Sequence, residues 1–174
     1  MFTSGTSGQP KEVTITQRNL AHFLRYFPAP VQGATTCHLA ALSFDIGLLE
    51  LLAPLTQGGC CYLPEIAHAA DVPGLQRAIG ESQCQVLQLT PTRWRLLLGS
   101  GWRPPAGLRL AFSGGEPLDD ELASQLLERF PEVWNLYGPT EATIWIAAQK
   151  LERGQPGGRL QRPFAGHHWL LENE

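Results

Sequence analysis

Apolar and polar positions divide this chain into short apolar runs separated by amphipathic stretches. Thr16 to Phe27 places Leu20, Phe23, Leu24 and Phe27 at helical spacing and is closed by Pro28. Thr36 to Leu42 is short and apolar, which predicts a buried strand. Ile46 to Leu55 is apolar nearly all round and predicts a buried helix, broken by Gly58-Gly59. Cys60 to Leu63 predicts the next strand, and Val72 to Ile79 a helix with Asp71 as its N-cap. Val86 to Leu89 is a strand. Pro91 to Leu98 is a helix whose proline falls in the first turn, where a missing N–H does no harm. Leu108 to Phe112 predicts a strand that runs into the Gly114-Gly115 turn. Asp119 to Phe130 is a strongly amphipathic helix with Leu122, Leu126 and Leu127 on one side. Val133 to Leu136 and Thr143 to Ala148 predict two further strands.

Alternating strands and helices imply an α/β fold, a mostly parallel sheet with helices on both faces. In such sheets ligands bind beyond the carboxyl ends of the strands. Asp45, Gly114-Gly115 and Tyr137-Gly138 each follow a predicted strand and fall at that edge. There is no internal repeat, and Arg153 to Gly158 is the best candidate for an exposed loop.

Composition narrows the function classes. With 174 residues, 43% of them hydrophobic, the chain has enough apolar material for one domain or subdomain. A net charge of −3 gives no electrostatic case for nucleic-acid or membrane binding. No apolar run is long enough to cross a bilayer and no signal-peptide pattern is present, so a cytoplasmic location is expected. The cysteines Cys37, Cys60, Cys61 and Cys84 form no C-x-x-C pair and are expected to be buried free thiols. His22 and His38 are expected to be packing residues, and His167-His168 a strand-edge pair rather than a metal site.

The stretch Thr3-Ser4-Gly5-Thr6-Ser7-Gly8-Gln9-Pro10-Lys11 carries the first chemical signal. Glycines let backbone N–H groups approach an anion, hydroxyls donate to phosphate oxygens, and a lysine adds a point charge. The spacing differs from a Walker A loop, since no Ser or Thr follows Lys11. Three other segments accompany it: Ser43-Phe44-Asp45, Ser113-Gly114-Gly115-Glu116-Pro117 and Asn135-Leu136-Tyr137-Gly138-Pro139-Thr140-Glu141. Singly, Gly114-Gly115 and Gly138-Pro139 are also ordinary turn dipeptides, and Glu141 is also an ordinary surface charge.

Together and in this order, the segments resemble the motifs of the adenylate-forming superfamily, and within it the adenylation domains of nonribosomal peptide synthetases. The resemblance implies ATP-dependent activation of an amino acid as its aminoacyl adenylate, with release of pyrophosphate. Carried over residue by residue, Thr3, Ser4, Gly5, Thr6, Ser7 and Gly8 would wrap the triphosphate with Lys11 nearby. Thr140 would bond the α-phosphate and Glu141 would hold Mg²⁺. Tyr137 and Gly138 would pack at the adenine, Asn135 would read its exocyclic amine, and Gly115, Glu116 and Pro117 would line its other side. Asp45 would bind the α-ammonium of the substrate, which disfavours a fatty or aryl acid. A helix N-cap is the competing role for Asp45.

The same resemblance places the side-chain pocket at Asp45, Ile46, Leu49, Gln88, Phe112, Gly114, Leu136, Ile144 and Trp145. Most are large, and the pattern is similar to that of glycine-activating domains, with Phe112 where leucine is expected. Glycine is therefore the favoured substrate and alanine the runner-up. The competing explanation is that these are core residues unrelated to substrate. Within the phosphate motif, Glu12 stands where glycine is usual.

The implied organisation is a partial adenylation domain over residues 1–174, from the central part of the large subdomain. The family's C-terminal small subdomain and carrier domain are absent, and no Y-R-T-G-D-like stretch occurs. Expected partners are a phosphopantetheine-bearing carrier domain, other synthetase domains and a small activating protein. The alternatives are an isolated specificity subdomain that binds without turnover, and a fragment of an acyl- or aryl-CoA ligase.

Overall fold

The computed structural model of the chain describes residues 1–4, 10–27, 30–65, 71–154 and 163–164. β1 (Phe2–Ser4) and β2 (Pro10–Glu12) form an antiparallel ribbon. Then come α1 (Gln17–Tyr26), β3 (Thr35–Cys37), α2 (Asp45–Thr56), β4 (Cys60–Tyr62), α3 (Val72–Ser82) and β5 (Val86–Leu89). They are followed by α4 (Pro91–Gly99), β6 (Leu110–Gly114), α5 (Asp120–Arg129), β7 (Glu132–Tyr137) and β8 (Ala147–Lys150).

β3 to β8 make one six-stranded sheet in the order β4-β3-β5-β6-β7-β8. All neighbours are parallel except β7 and β8, which pair antiparallel at the edge. The central strands β5 and β6 are buried on both faces, which explains their near-continuous apolar runs. Alternate residues feed two cores. Leu87, Leu89, Ala111 and Val133 pack under α3, α4 and α5, while Val86, Leu110, Phe112 and Leu136 pack under α1 and α2.

The helix starts follow their polar caps. Thr16 and Asn19 form a reciprocal capping box at α1. Asp71, Thr90 and Asp119 each accept from the backbone N–H three residues on, opening α3, α4 and α5.

Two predicted strands need correction. The run from Thr36 to Leu42 is a strand only through Cys37, because the chain leaves the sheet at His38 to cross its carboxyl edge. The run from Thr143 to Ala148 does not start as a strand: Thr143 and Ile144 have φ of 70° and 66°, and β8 begins at Ala147. Asp45 does not cap α2 either, since Phe44 is the cap residue and Asp45 lies in the first turn.

Candidate functional site

The carboxyl ends of β6 and β7 open onto a cavity of about 370 Å³, lined by Gly115, Glu116, Pro117, Leu118, Asn135, Leu136, Tyr137, Gly138 and Trp145. Its size lies in the range of small-ligand sites. Every residue expected at the base of a nucleotide is on this wall. Asn135 is buried and Tyr137 is 47% exposed, so the ring presents a face to an incoming planar group.

Gly115 has φ of +86°, which the turn after β6 requires. Glu116 is turned back onto α4, where Thr92 donates its N–H at 2.9 Å and its hydroxyl at 2.5 Å to Oε2. Partial burial works against the Glu116 charge, but the bonds from Thr92 outweigh it and hold the carboxyl below its usual range. Glu116 thus clips the turn to a helix N-terminus. Leu118, also on the cavity wall, carried no signal in the sequence beyond following the Gly-Gly-Glu-Pro turn.

Gly138 has a packing reason for lacking a side chain. A Cβ there would stand 2.4 Å from the Ile144 carbonyl oxygen and 2.6 Å from Trp145 Cα. The left-handed pair Thr143 and Ile144 turns the chain sharply across Gly138, with a cost on the order of 1–3 kcal/mol for each strained residue. The β-branched Ile144 is especially unfavourable in that region. The result is that Trp145 enters the core beneath the cavity.

The expected side-chain pocket is one contiguous cluster. Leu49, Phe112, Leu136, Ile144 and Trp145 are each 2% exposed and pack together, with Ile46 against them. The Trp145 ring fills this space so fully that a Cβ on Gly114 would lie 2.7 Å from Cη2. Register puts Gln88 beside Phe112 and Gly114 beside Leu136. Gln88 Oε1 and Trp145 Nε1 are buried without a hydrogen-bond partner among the described residues.

Asp45 is half-buried at the start of α2. Burial raises its carboxyl above the ordinary range, opposed by hydrogen bonds from the Thr140 hydroxyl and the Ile46 N–H, and aided by the nearby Glu141 charge. Thr140 and Glu141 lie in a 3-10 turn, Thr140–Ala142, that follows β7. Lys11 on β2 reaches the same turn, with Nζ 3.5 Å from Glu141 Oε1. Thr3, Ser4, Lys11 and Glu12 belong to the ribbon, with Glu12 exposed; Gly5, Thr6, Ser7 and Gly8 lie outside the described residues.

The lone cysteine and histidine expectations hold unevenly. All four cysteines are free, but only Cys37 and Cys84 are buried; Cys60 is exposed and Cys61 half-buried. Burial pushes the Cys37 thiol up to about 12, which keeps it unreactive. His22 is not a core residue but lies exposed on α1, its ring 4.7 Å from that of Tyr26. His38 is half-buried, and His167-His168 lies outside the described residues. Among the described residues no cluster of metal-ligating side chains occurs and no helix is long and apolar enough to cross a membrane.

Comparison with known proteins gives matches along the chain and to its fold. A family model described as AMP-binding enzyme matches residues 1–174. A dimodular nonribosomal peptide synthase of Bacillus subtilis is 36% identical over 160 residues, covering 90% of this chain and 7% of that protein. Among solved structures, the Vibrio cholerae adenylation domain AlmE in complex with glycyl-adenosine-5'-phosphate superposes with a TM-score of 0.80 and 29% identity, covering 94% of this chain and 32% of that one. The four-domain nonribosomal peptide synthetase holo-AB3403, bound to AMP and glycine, gives a TM-score of 0.73 and 34% identity over 87% of this chain and 11% of that one. The chain therefore spans about a third of the first structure and a far smaller share of the two multidomain synthetases.

Proposed function

The chain belongs to the AMP-binding enzyme family, and from that premise we propose that it forms the central part of an adenylation domain that activates glycine for nonribosomal peptide synthesis. The amino-acid carboxylate would attack the α-phosphorus of ATP, the bond to the β-phosphate would break, and pyrophosphate would leave. The phosphopantetheine thiol of a carrier domain would then attack the carbonyl carbon of the adenylate, forming the aminoacyl thioester and releasing AMP.

The observation that carries this proposal is the nearness of Thr140 to Asp45, whose charged carboxylate the Thr140 side chain favours. Thr140 is the residue expected at the α-phosphate and Asp45 the one expected at the α-ammonium. In an α-amino acid, one carbon separates ammonium from carboxylate. Two neighbouring anchors suit a reaction that must bring that carboxylate to the α-phosphate.

The surroundings support the same chemistry. The cavity beside Tyr137 suits an adenine, with Asn135 and the Gly115 turn on its walls. Glu141 is exposed and offers a carboxylate to a divalent cation, which when bound would neutralise phosphate charge. Lys11 adds positive charge at the same place. Such positioning and charge stabilisation are the main contributions a protein makes to this kind of transfer.

The choice of glycine rests on Trp145. Its buried ring abuts Gly114 and fills the space a larger side chain would need. Rejection by overlap is effective against larger substrates and does nothing against smaller ones. That two of the superposed structures carry a glycyl adenylate or glycine supports the same choice. Pyrophosphate exchange across the amino acids, in a complete adenylation domain carrying this segment, tests it.

A further inference from the structure

Glu50 is the one fully buried carboxylate among the described residues, at 4% exposure, and no role above uses it. It lies in the second turn of α2, five residues after Asp45. Its Oε2 accepts the backbone N–H of Leu39 at 2.7 Å and of Ala40 at 2.8 Å. Its own carbonyl accepts the Thr36 hydroxyl at 2.8 Å. Residue 50 thus ties α2 to the end of β3 through both side chain and main chain.

Arg93 completes the attachment from α4, on the opposite face of the sheet. Its Nη1 donates to the Leu39 carbonyl at 3.0 Å. The peptide groups on both sides of Leu39 are therefore held by two helices from two layers. One turn nearer the site, the strap lies directly on α2. Phe44 N–H donates to Ala41 O at 2.9 Å, and a Cβ on Gly47 would stand 2.9 Å from that same oxygen. Glu50 also lines a cavity of about 10 Å³ together with Leu49, Gln88 and Phe112, immediately under the expected side-chain pocket.

Burying a carboxylate is unfavourable unless hydrogen bonds compensate it, and an apolar residue would pack here beside Leu49 and Ala53 at less cost. What Glu50 supplies that an apolar residue does not is a fixed position for the strap between β3 and α2. We propose that Glu50 and Arg93 are positioning residues for Asp45, clamping the Leu39–Ala40 backbone so that the first turn of α2 presents its carboxylate to the amino acid. A rigid helix passes a shift at Glu50 to Asp45 almost undiminished, and reacting groups tolerate displacements of only about 0.5 Å. The clamp touches none of the residues expected at the nucleotide. This inference rests on the amino-acid-binding role proposed for Asp45.

The test is pyrophosphate exchange in a complete adenylation domain carrying this segment, with KM measured separately for glycine and ATP. Glu50→Leu keeps the volume but removes both acceptors. It is expected to raise the KM for glycine by about tenfold or more while the KM for ATP stays within about twofold. Glu50→Gln, which keeps an acceptor oxygen, is expected to stay within about threefold of the unsubstituted domain for both. Arg93→Met removes the bond to the Leu39 carbonyl and the positive charge near Glu50, and is expected to show the same one-sided rise on a smaller scale, about threefold. If Glu50→Leu does not fold, Arg93→Met decides alone. Equal changes in both KM values, or none, in a folded variant would overturn the clamp. An unsubstituted domain with no amino-acid dependence would instead overturn the function proposed for the site.

Discussion

Lys11 Nζ and Glu141 Oε1 lie 3.5 Å apart although 130 residues separate them in the chain. The contact brings β2 of the ribbon against the turn that follows β7. Both side chains are well exposed, so the pair adds little to stability.

Substituting either partner should therefore reduce activity without unfolding the protein. Glu141→Gln in a complete domain is expected to lower exchange by about a hundredfold and to raise the Mg²⁺ concentration needed. Lys11→Ala is expected to raise the KM for ATP by about tenfold. Thermal melts of both variants should stay within a few degrees of the parent, on the order of what a pair worth under 1 kcal/mol allows. Loss of folding in either would show that the pair is structural.

Asp45→Ala should abolish amino-acid-dependent exchange. Removing one side of a partly buried charge pair costs about 3–5 kcal/mol, at least a hundredfold in kcat/KM for the amino acid. Asp45→Asn should lose nearly as much, since it keeps the shape but not the charge. Retained exchange in Asp45→Ala would remove Asp45 from the substrate site.

Trp145→Ser should open the pocket floor. Alanine and larger amino acids are expected to gain on glycine by about tenfold or more in kcat/KM. Stability should fall as well, by about 3 kcal/mol, because a fully buried ring is lost. Unchanged selectivity in a folded variant would make Trp145 a core residue with no say in substrate.

Glu50 makes stability depend on pH with a definite sign. Burial pushes its carboxyl up to about 7, above the 4.5 of a free glutamate, despite the bonds from Leu39 and Ala40 and the charge of Arg93. The folded state then holds a proton that the unfolded chain releases first. Stability from this group is full below about pH 4.5 and is lost as pH rises toward 7, with no further loss above it. Glu50→Gln removes that slope. In urea denaturation, the variant should gain on the parent by roughly 3 kcal/mol between pH 5 and pH 8. A parallel dependence in the two proteins would show that Glu50 is charged throughout.

The layers of the fold were legible because their signals are local. Apolar runs marked β5, β6 and β7, and Asp71 and Asp119 marked helix starts that tertiary contacts reinforce. The grouping of Asn135, Tyr137, Gly138 and the Gly115 turn around one cavity was legible as motif order. Other features depend on contacts between distant segments. The left-handed turn at Thr143 and Ile144 looked like a strand because β-branched residues favour strands, yet the close approach to Gly138 overrides that preference. Glu50 carries no signal in the sequence, because its partners are backbone groups that no sequence pattern displays. Cys60 looked buried from its apolar neighbours but stands exposed on β4, an edge strand of the sheet.

The most direct measurement exchanges residues 1–174 for the matching stretch of a complete adenylation domain that activates a larger amino acid, and follows pyrophosphate exchange across the amino acids. Glycine should become the preferred substrate. A folded, active chimera that keeps its host's amino acid would contradict the assignment of Asp45 and Trp145 to the substrate pocket.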